Sequence, residues 1–499
     1  MTQTLPSAMD WWARMRPDQP AVILAGDAMS YAAYRDWSRR VAAMLIAEGL
    51  TPGERVGICS TNSLAYCALM MGIIRAGGIV CPINFRYTPR EIGELCETVE
   101  PRLCFAGPDQ MTAMADAGWA ARPMASIDAL RHGEPAEVAH DAEADAPVVI
   151  IATSGSTAKP KGVVYSNRSM TAYAANWALE ETSSSAGSRI LSLAPLNTSA
   201  GFVQLMHYTT QGCTLYMEPQ FDPARALRLI EGERINCFGA VPAFFEFIAA
   251  LPDFATADLS SITLATSGGA RVSQQLLDTY RAKGVIIRQI YGQTEIGGNV
   301  TMMPEHLAAD APDKCGWGGM FMDLRVVRPD GSDCDPGETG EIIMRSPGMM
   351  QGYWRNPEET AKVIREGWLH SGDIGMLDEQ GLLTFVDRMK DIIISGGLNI
   401  SAAEVERVLC EFPGVIEALV IAAPDDRFGE TPFAVIHGPA AVDIPALIAH
   451  CNTNLSNYKV PRYVAWSAEP LPRLATGKLS KPAVRDRYAG AHLTIPRAR

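Results

Sequence analysis

The sequence lacks the cysteine and histidine patterns of a disulfide framework or a structural metal site. Its 11 cysteines are an odd number, and none is spaced C-x-x-C or stands near a histidine at metal-ligand spacing. A basic segment followed by an apolar one is missing near Met1, so we expect no secretory signal, reduced thiols and a cytoplasmic protein. Long uncharged runs are also missing. The stretch from Val56 to Ile74 is interrupted by polar residues at 60–63 and predicts a strand and a buried helix rather than a membrane span.

A net basic charge is absent as well. The chain has 43 Lys and Arg against 56 Asp and Glu, a formal charge of -13, which argues against nucleic acid or an anionic membrane as the main partner. Residues 388–499 differ, with 13 basic and 11 acidic residues. This basic end favours contact with a small polyanion, although charge alone leaves a solvated helix face open.

Short β-rich runs alternate with helix-length segments along most of the chain. Four such runs are RVGICS (55–60), PRLCFAG (101–107), PVVIIAT (147–153) and GCTLYME (212–218). Alternation of this kind is typical of crossover units, so the sequence predicts an α/β protein with largely parallel sheets.

A segment rich in hydroxyl groups follows the apolar run at 147–151. Hydroxyls, a glycine and lysines can together bind the phosphates of a nucleotide, although Ser- and Thr-rich turns are also common. The P-loop pattern G-x-x-x-x-G-K-[ST] fails because Lys161 is followed by Gly162. The predicted phosphate-binding residues are Thr153, Ser154, Gly155, Ser156, Thr157 and Lys161.

This segment, T-S-G-S-T-A-K-P-K-G, resembles the signature of the adenylate-forming superfamily, which includes acyl-CoA synthetases, peptide adenylation domains and luciferases. Further blocks follow in the family's order: Y-G-Q-T-E (291–295), W-L-H-S-G-D (368–373), D-R-M-K-D-I-I-I-S-G-G-L-N-I (387–400) and P-R-L-A-T-G-K-L-S-K (472–481). The resemblance implies a large N-terminal domain of parallel-rich sheets and helices, residues 1–387, that binds ATP and the acid. It also implies a small mobile α+β domain, residues 388–499, that carries a catalytic lysine.

The resemblance further implies an AMP-forming acyl-CoA ligase. A carboxylate is a poor electrophile, and ATP supplies AMP as its leaving group before the acyl group passes to CoA. The expected substrate is a medium- or long-chain fatty, aryl or bulky alicyclic acid, with ATP, Mg²⁺ and CoA as the other participants. Two alternatives stay open: an enzyme that loads an acyl carrier protein, and a silent acyl-nucleotide binding protein. A homodimer is common in the family and stays an expectation.

Residue roles follow from the same resemblance. Lys478 is expected to contact the carboxylate and α-phosphate oxygens, Thr294 to donate to the α-phosphate and Glu295 to bind Mg²⁺. Tyr291 is similar to the residue on which adenine stacks, while Asp373 and Arg388 resemble the pair that binds the ribose hydroxyls. Lys390 stands at the position of the domain hinge.

The block often reading P-L-F-H-x-x-G appears here as P-L-N-T-S-A-G, so Thr198 replaces a common histidine. By position, the acid pocket comprises Thr198, Phe202, Ser267, Gly268, Gly269, Gly292, Gly297 and Gly298. Their small side chains predict a roomy, uncharged pocket for a bulky acid. Asn236 stands where we expect an aspartate in amino-acid-activating relatives, which argues against an amino acid substrate.

Overall fold

The computed structural model describes residues 3–138, 143–153, 161–181, 183–270, 272–473 and 478–498. Ser154, Gly155, Ser156 and Thr157 of the predicted phosphate loop lie outside these ranges. The chain forms two compact units: Met1–Leu324 with Met344–His370, and Arg325–Ile343 with Ser371–Arg499. The domain boundary between residues 387 and 388 stays a prediction.

Helices in the described residues begin and end as follows. They are α1 (Leu5–Met15), α2 (Tyr31–Ala47), α3 (Leu64–Arg75), α4 (Pro89–Val99), α5 (Met111–Asp116), α6 (Ala125–Asp128), α7 (Asn167–Glu180), α8 (Ser199–Thr210), α9 (Pro223–Gly232), α10 (Pro242–Ala249), α11 (Gln274–Arg281), α12 (Glu305–Ala308), α13 (Pro357–Val363), α14 (Ala402–Cys410), α15 (Ile444–Asn454) and α16 (Lys481–Arg487). Hydroxyl or carboxylate side chains cap many of their first turns. In α4, Thr88 at the N-cap and Glu91 in the first turn form a capping box, and Pro89 is the first helical residue, so the start of this helix is encoded locally.

The strands in the described residues are β1 (Pro20–Leu24), β2 (Asp27–Ser30), β3 (Arg55–Cys59), β4 (Ile79–Ile83), β5 (Leu103–Ala106), β6 (Arg122–Pro123), β7 (Pro147–Thr153), β8 (Lys161–Ser166), β9 (Arg189–Ser192), β10 (Thr214–Met217), β11 (Cys237–Ala240), β12 (Leu264–Gly268), β13 (Ile287–Gln293), β14 (Gly298–Met302), β15 (Trp317–Gly318), β16 (Asp323–Val327), β17 (Gly340–Arg345), β18 (Gly352–Tyr353), β19 (Ile364–Arg365), β20 (Trp368–Leu377), β21 (Leu383–Arg388), β22 (Ile393–Ser395), β23 (Leu398–Ile400), β24 (Glu417–Asp425), β25 (Gly429–His437) and β26 (Tyr463–Ser467).

The first unit contains two large sheets. One has the strand order β15-β14-β13-β12-β11-β9-β10-β1-β2, and the other β18-β8-β7-β4-β3-β5-β6. The central pairs of both sheets are parallel, whereas β7 with β8 and β13 with β14 are antiparallel. The predicted α/β architecture is therefore confirmed. In parallel sheets of this kind, ligands bind beyond the carboxyl ends of the strands. The carboxyl ends of β12 and β13 are therefore candidate positions for a ligand site.

The apolar stretch from Val56 to Ile74 forms most of β3 and α3, as predicted, and every residue of α3 is buried. None of the helices in the described part of the chain has the length and apolarity needed to cross a membrane. Eight cysteines are buried, whereas Cys410 at the end of α14 is exposed.

The second unit has an α+β character. Its sheet has the order β23-β22-β25-β24, with β26 parallel to β25, and its other pairs are antiparallel. Buried aliphatic side chains of α14 and α15 pack on one face of this sheet. The strand β21 pairs with β20 so that Arg388 lies directly opposite Asp373. A further sheet has the order β16-β17-β20-β19, with β21 beside β20.

Candidate active site

The strands β7 and β8 form the two sides of the predicted phosphate loop. Thr153 and Lys161 are paired at its ends, and the Thr153 hydroxyl lies 3.4 Å from the Lys161 carbonyl. The ammonium of Lys161 lies 2.5 Å from Glu359 and 5.0 Å from the ring centre of Tyr353. Hydrogen bonds from Lys161 and Lys362 lower the pKa of Glu359 to about 2. Lys161 is thus held at the base of the loop by an anionic partner.

The predicted catalytic residues Thr294 and Glu295 form a short 3-10 turn at the end of β13. The hydroxyl of Tyr353 donates to Oε1 of Glu295 at 3.0 Å, and the Met350 amide donates to the Glu295 carbonyl at the same distance. The buried Tyr165 hydroxyl donates to the Thr294 carbonyl at 2.6 Å. The turn is therefore fixed from two sides before any ligand binds.

Tyr291 lies near the end of β13, three residues before Thr294. Only 7% of its surface is exposed, and its backbone amide donates to the hydroxyl of Thr301 at 3.0 Å. The proposed adenine-stacking residue is therefore set largely inside the first unit, at the edge where the parallel strands end.

The glycines predicted to line the acid pocket have close neighbours within the first unit. A Cβ at Gly268 would meet Ile290, one at Gly297 would collide with the carbonyl of Gly348, and one at Gly292 would collide with the carbonyl of Gly298. A Cβ at Gly298 would lie 2.8 Å from the Tyr173 hydroxyl. These four glycines permit close packing of the chain, so their small size is not evidence of open space. Gly269 has a positive φ of 81°.

Other predicted pocket residues have structural roles in α8 and β12. The Thr198 hydroxyl caps α8 by accepting from the Gly201 amide and donates to the Pro195 carbonyl, while Phe202 is fully buried. By contrast, the Oγ of Ser267 and the Oδ1 of Asn197 are buried and without a hydrogen-bond partner among the described residues. A buried polar atom without a hydrogen-bond partner costs folding free energy, so these two groups are candidates for hydrogen bonds to the substrate.

Asn236, named above as an argument against an amino acid substrate, forms hydrogen bonds to two neighbouring segments. Its carbonyl oxygen accepts from the Arg189 amide at 2.6 Å, and its amide donates to the Ser183 carbonyl at 3.1 Å. It immediately precedes β11, at the end of the strand opposite to the carboxyl edge. The side chain connects loops, and the inference against an amino acid substrate from this residue stays a prediction.

Three predicted residues come together in the second unit. Asp373 and Arg388 are opposite each other on β20 and β21, with Nε 3.8 Å from Oδ1. Burial lowers the pKa of Lys478, the positive charge of Arg388 lowers it further, and Asp373 opposes this shift. The charges of both members of the pair therefore act on the Lys478 ammonium.

The predicted hinge residue extends this charged group. Lys390 lies in a 3-10 turn, Met389–Asp391, and its pKa is lowered chiefly by burial and then by Arg388. The neighbouring Asp391 accepts from Arg485 of α16 at 2.7 Å. Around Asp373 and Asp391 the second unit thus collects four cations: Arg388, Lys390, Lys478 and Arg485.

The predicted magnesium ligand fits a metal that arrives with a nucleotide. No group of three or more His, Cys, Asp or Glu side chains suited to a metal occurs in the described ranges. Mg²⁺ usually takes one or two carboxylates and completes its shell with phosphate and water oxygens. Glu295 offers one carboxylate, which suits Mg²⁺ bound to ATP rather than a resident metal ion.

Sequence reasoning missed three side chains that organise this region. Tyr353 and Glu359 lie in the string G-Y-W-R-N-P-E-E-T at 352–360, which also resembles the family and could have drawn attention to them. Tyr165 gave no signal, because a tyrosine in an apolar strand normally predicts core packing.

Comparison with known proteins identifies the family. The family model "AMP-binding enzyme" matches residues 9–354, and "AMP-binding enzyme C-terminal domain" matches residues 404–478. The chain belongs to the family of AMP-binding enzymes.

Its similar proteins are matched over nearly their whole length. It is 36% identical to feruloyl-CoA synthase of Amycolatopsis sp, covering 95% of this chain and 97% of that protein. It is 34% identical to long-chain-fatty-acid–CoA ligase FadD13 of Mycobacterium tuberculosis, covering 94% of each chain. The solved structure of Bacillus subtilis o-succinylbenzoate CoA synthetase in complex with its acyl-adenylate intermediate is 26% identical, with a TM-score of 0.87, and the match covers 96% of this chain and 98% of that one. These relatives confirm the predicted class, an ATP-dependent, AMP-forming acid–thiol ligase acting on a small carboxylic acid.

Proposed function

We propose that this ligase activates an aryl, bulky alicyclic or medium- to long-chain aliphatic acid as its acyl-adenylate and transfers the acyl group to CoA. The group of Asp373, Arg388 and Lys478 carries this proposal, because three distant sequence blocks meet there. A carboxylate that can accept the ribose hydroxyls, a guanidinium beside it and a partly buried ammonium are the groups that an adenylation reaction requires. The named acids of the similar proteins, feruloyl and long-chain fatty acyl, support the range of acids.

In the first half-reaction a carboxylate oxygen attacks the α-phosphorus of ATP and pyrophosphate leaves. Two unit charges at about 4 Å repel by roughly 4 kcal/mol at an effective dielectric of about 20, so cations are needed at the reacting atoms. We assign Lys478 to the carboxylate and α-phosphate oxygens and the Thr294 hydroxyl to the α-phosphate. Mg²⁺, when bound with ATP, supplies further neutralisation of phosphate charge, and Glu295 is the residue that would hold it.

In the second half-reaction the CoA thiol attacks the acyl carbon and AMP leaves. AMP is a better leaving group than the oxygen of a free carboxylate, because its phosphate accepts the electron pair without a proton. Arg388 and Asp373 would keep the ribose of AMP in place. Lys478 is not required for this step. The two half-reactions therefore depend on different residues, and each can be measured by itself.

Pyrophosphate release with Mg-ATP tests the proposal. The acids to compare are octanoate, palmitate, benzoate, cinnamates and bulky alicyclic acids, with acetate as the small control, each with and without CoA. We expect one class of bulky acid to give sustained release only with CoA. Sustained release with an acyl carrier protein but not with CoA would favour the carrier-loading alternative, and no release with any acid would favour a silent binding protein.

A further inference from the structure

The loop that carries Lys478 is closed by two flanking segments, called here the first stem (residues 471–473) and the second stem (residues 479–481). The amide of Ser480 donates to the Pro472 carbonyl at 2.7 Å, and Arg473 forms an isolated antiparallel bridge with Leu479. Lys478 is thus the residue next to this bridge, on the return side of the loop. Where the stems are held decides where its ammonium can reach.

The first stem is bound to Glu417, the first residue of β24. One oxygen of this carboxylate accepts from the Leu471 amide at 2.7 Å, and the other lies 2.5 Å from the Arg473 guanidinium. Only 11% of the Glu417 side chain is exposed. A single carboxylate therefore binds both the backbone and the side chain of this stem.

The second stem is bound to Glu406 of α14. The ammonium of Lys481 lies 3.1 Å from Oε1 of Glu406, and the two side chains are 14% and 17% exposed. The same oxygen accepts from the Val420 amide of β24 at 2.8 Å. Both stems are therefore tied to β24, one through a residue on the strand and the other through a carboxylate bonded to it.

We propose that Glu417 and Glu406 are positioning residues that place Lys478 for adenylation. The proposal rests on the adenylation role assigned to Lys478 above. Exposed ion pairs contribute little to stability, but these carboxylates are shielded and each also accepts a backbone amide. A displacement of about 1 Å at a reacting group can cost on the order of 10²-fold in rate, so loosening either stem should be visible in the first half-reaction.

The test separates the two half-reactions in the full-length protein. Glu417→Gln and Glu406→Gln are compared with the parent at about pH 8, above the pKa of Glu406, for pyrophosphate release and for thioester formation from supplied acyl-adenylate, using the best acid of the panel. We expect kcat for pyrophosphate release to fall about 10- to 100-fold, with thioester formation changed by less than about twofold. The reference variant Lys478→Ala should show the same split with a larger loss.

The same helix offers a matched control. Glu404 of α14 pairs with Lys459 at 2.6 Å, with 35% and 20% exposed side chains, and neither residue belongs to the stems. Glu404→Gln should leave both half-reactions unchanged. Lys481→Arg keeps the cation and should retain adenylation, whereas Lys481→Met should lose it.

Each outcome decides the proposal. Equal losses in both half-reactions for Glu417→Gln and Glu406→Gln would assign them to general structure and overturn it, as would unchanged rates or a Glu404→Gln variant that shows the same split. If Lys478→Ala itself lowers both half-reactions equally, the assigned role of the lysine fails instead. A split for Lys478→Ala without one for the two glutamine variants overturns the positioning role alone.

Discussion

At the residue scale, Tyr353 forms a direct side-chain hydrogen bond to a predicted catalytic group. Its hydroxyl donates to Glu295, and Lys161 lies over its ring. Burial raises the pKa of Tyr353, and the Glu295 carboxylate raises it further, so the phenol stays protonated as a donor. The hydrogen bond fixes one oxygen of Glu295 and leaves the other to accept a cation.

We predict that Tyr353→Phe lowers the affinity of the ATP complex for Mg²⁺. Loss of a hydrogen bond to a metal-binding carboxylate commonly costs 10- to 100-fold in metal affinity. The Mg²⁺ concentration that gives half-maximal pyrophosphate release at fixed ATP should therefore rise about tenfold. Direct titration of Mn²⁺ into the ATP complex, followed by electron paramagnetic resonance, should show the same shift.

Tyr165→Phe is the control for this prediction. Tyr165 is also buried and also contacts the turn, but its hydroxyl binds the Thr294 carbonyl rather than the Glu295 carboxylate. The Tyr165→Phe variant should therefore have the same Mg²⁺ requirement as the parent. If both variants shift the requirement alike, Tyr353 acts on the shape of the turn and not on the carboxylate.

Residue types in sequence blocks predicted which side chains meet but not how they are held. Asp373 and Arg388 could be paired in advance because both belong to family blocks. The partners Glu406 and Glu417 could not, since each lies far along the chain from Lys478 and a glutamate at the end of a strand or on a helix normally predicts a solvated face. Their function depends on tertiary contacts that no local pattern encodes.

At the scale of elements, α14 carries two glutamates, Glu406 and Glu404, whose side chains are 17% and 35% exposed. Val405, Val408 and Leu409 face the core of the second unit, and Glu406 lies next to them against β24. Burial raises the pKa of Glu406 to about 7, although Lys481 opposes the shift. Between the ordinary value of 4.5 and pH 7, the folded chain therefore retains a proton that the unfolded chain has released.

We predict that this proton makes the free energy of unfolding fall as the pH rises through that window. The contribution of Glu406 is largest below pH 4.5 and is lost by about pH 7, with an upper limit of about 3 kcal/mol. Urea unfolding at several pH values measures this contribution as the difference in free energy of unfolding between the parent and Glu406→Gln. That difference should change with pH for Glu406→Gln, and a difference that stays constant between pH 4.5 and 7 would contradict the shift.

Elements were more predictable than their packing. The stretch from Val56 to Ile74 predicts a strand and a buried helix because its apolar run is broken by polar residues of a turn, and the structure confirms both elements. The sequence predicts that the glycines near β12 and β13 leave room for substrate, whereas in the structure most of them permit close approach of two backbone segments. Sequence shows that a side chain is missing, but only the fold shows what occupies its place.

At the scale of the whole molecule, the chain combines an α/β unit with a smaller α+β unit. The class of fold and the ligase family were predicted from the sequence because several blocks occur in the same order over nearly the whole chain. The boundary between the two compact units was harder to predict from the sequence, because it crosses the chain within the strands β16, β17 and β20. Strands that continue from one unit into the next give no composition signal.

We predict that Lys390→Ala slows the complete reaction more than either half-reaction measured alone. The residue stands at the family's hinge position, in a turn whose neighbour Asp391 is bound by Arg485. Alternation between two arrangements would require this turn to change its backbone angles. Single-turnover measurements of each half and steady-state thioester formation provide the comparison, and an unchanged steady-state rate would remove Lys390 from the mechanism.

The distribution of cysteines has a practical consequence. Burial raises the pKa of the Cys59 and Cys67 thiols to about 12, so very little reactive thiolate is present at neutral pH. Cys410, at the end of the helix that bears Glu404 and Glu406, is the cysteine with an exposed side chain. A maleimide dye should therefore attach there without any engineered cysteine, which gives fluorescence spectroscopy a native probe on the unit that carries Lys478.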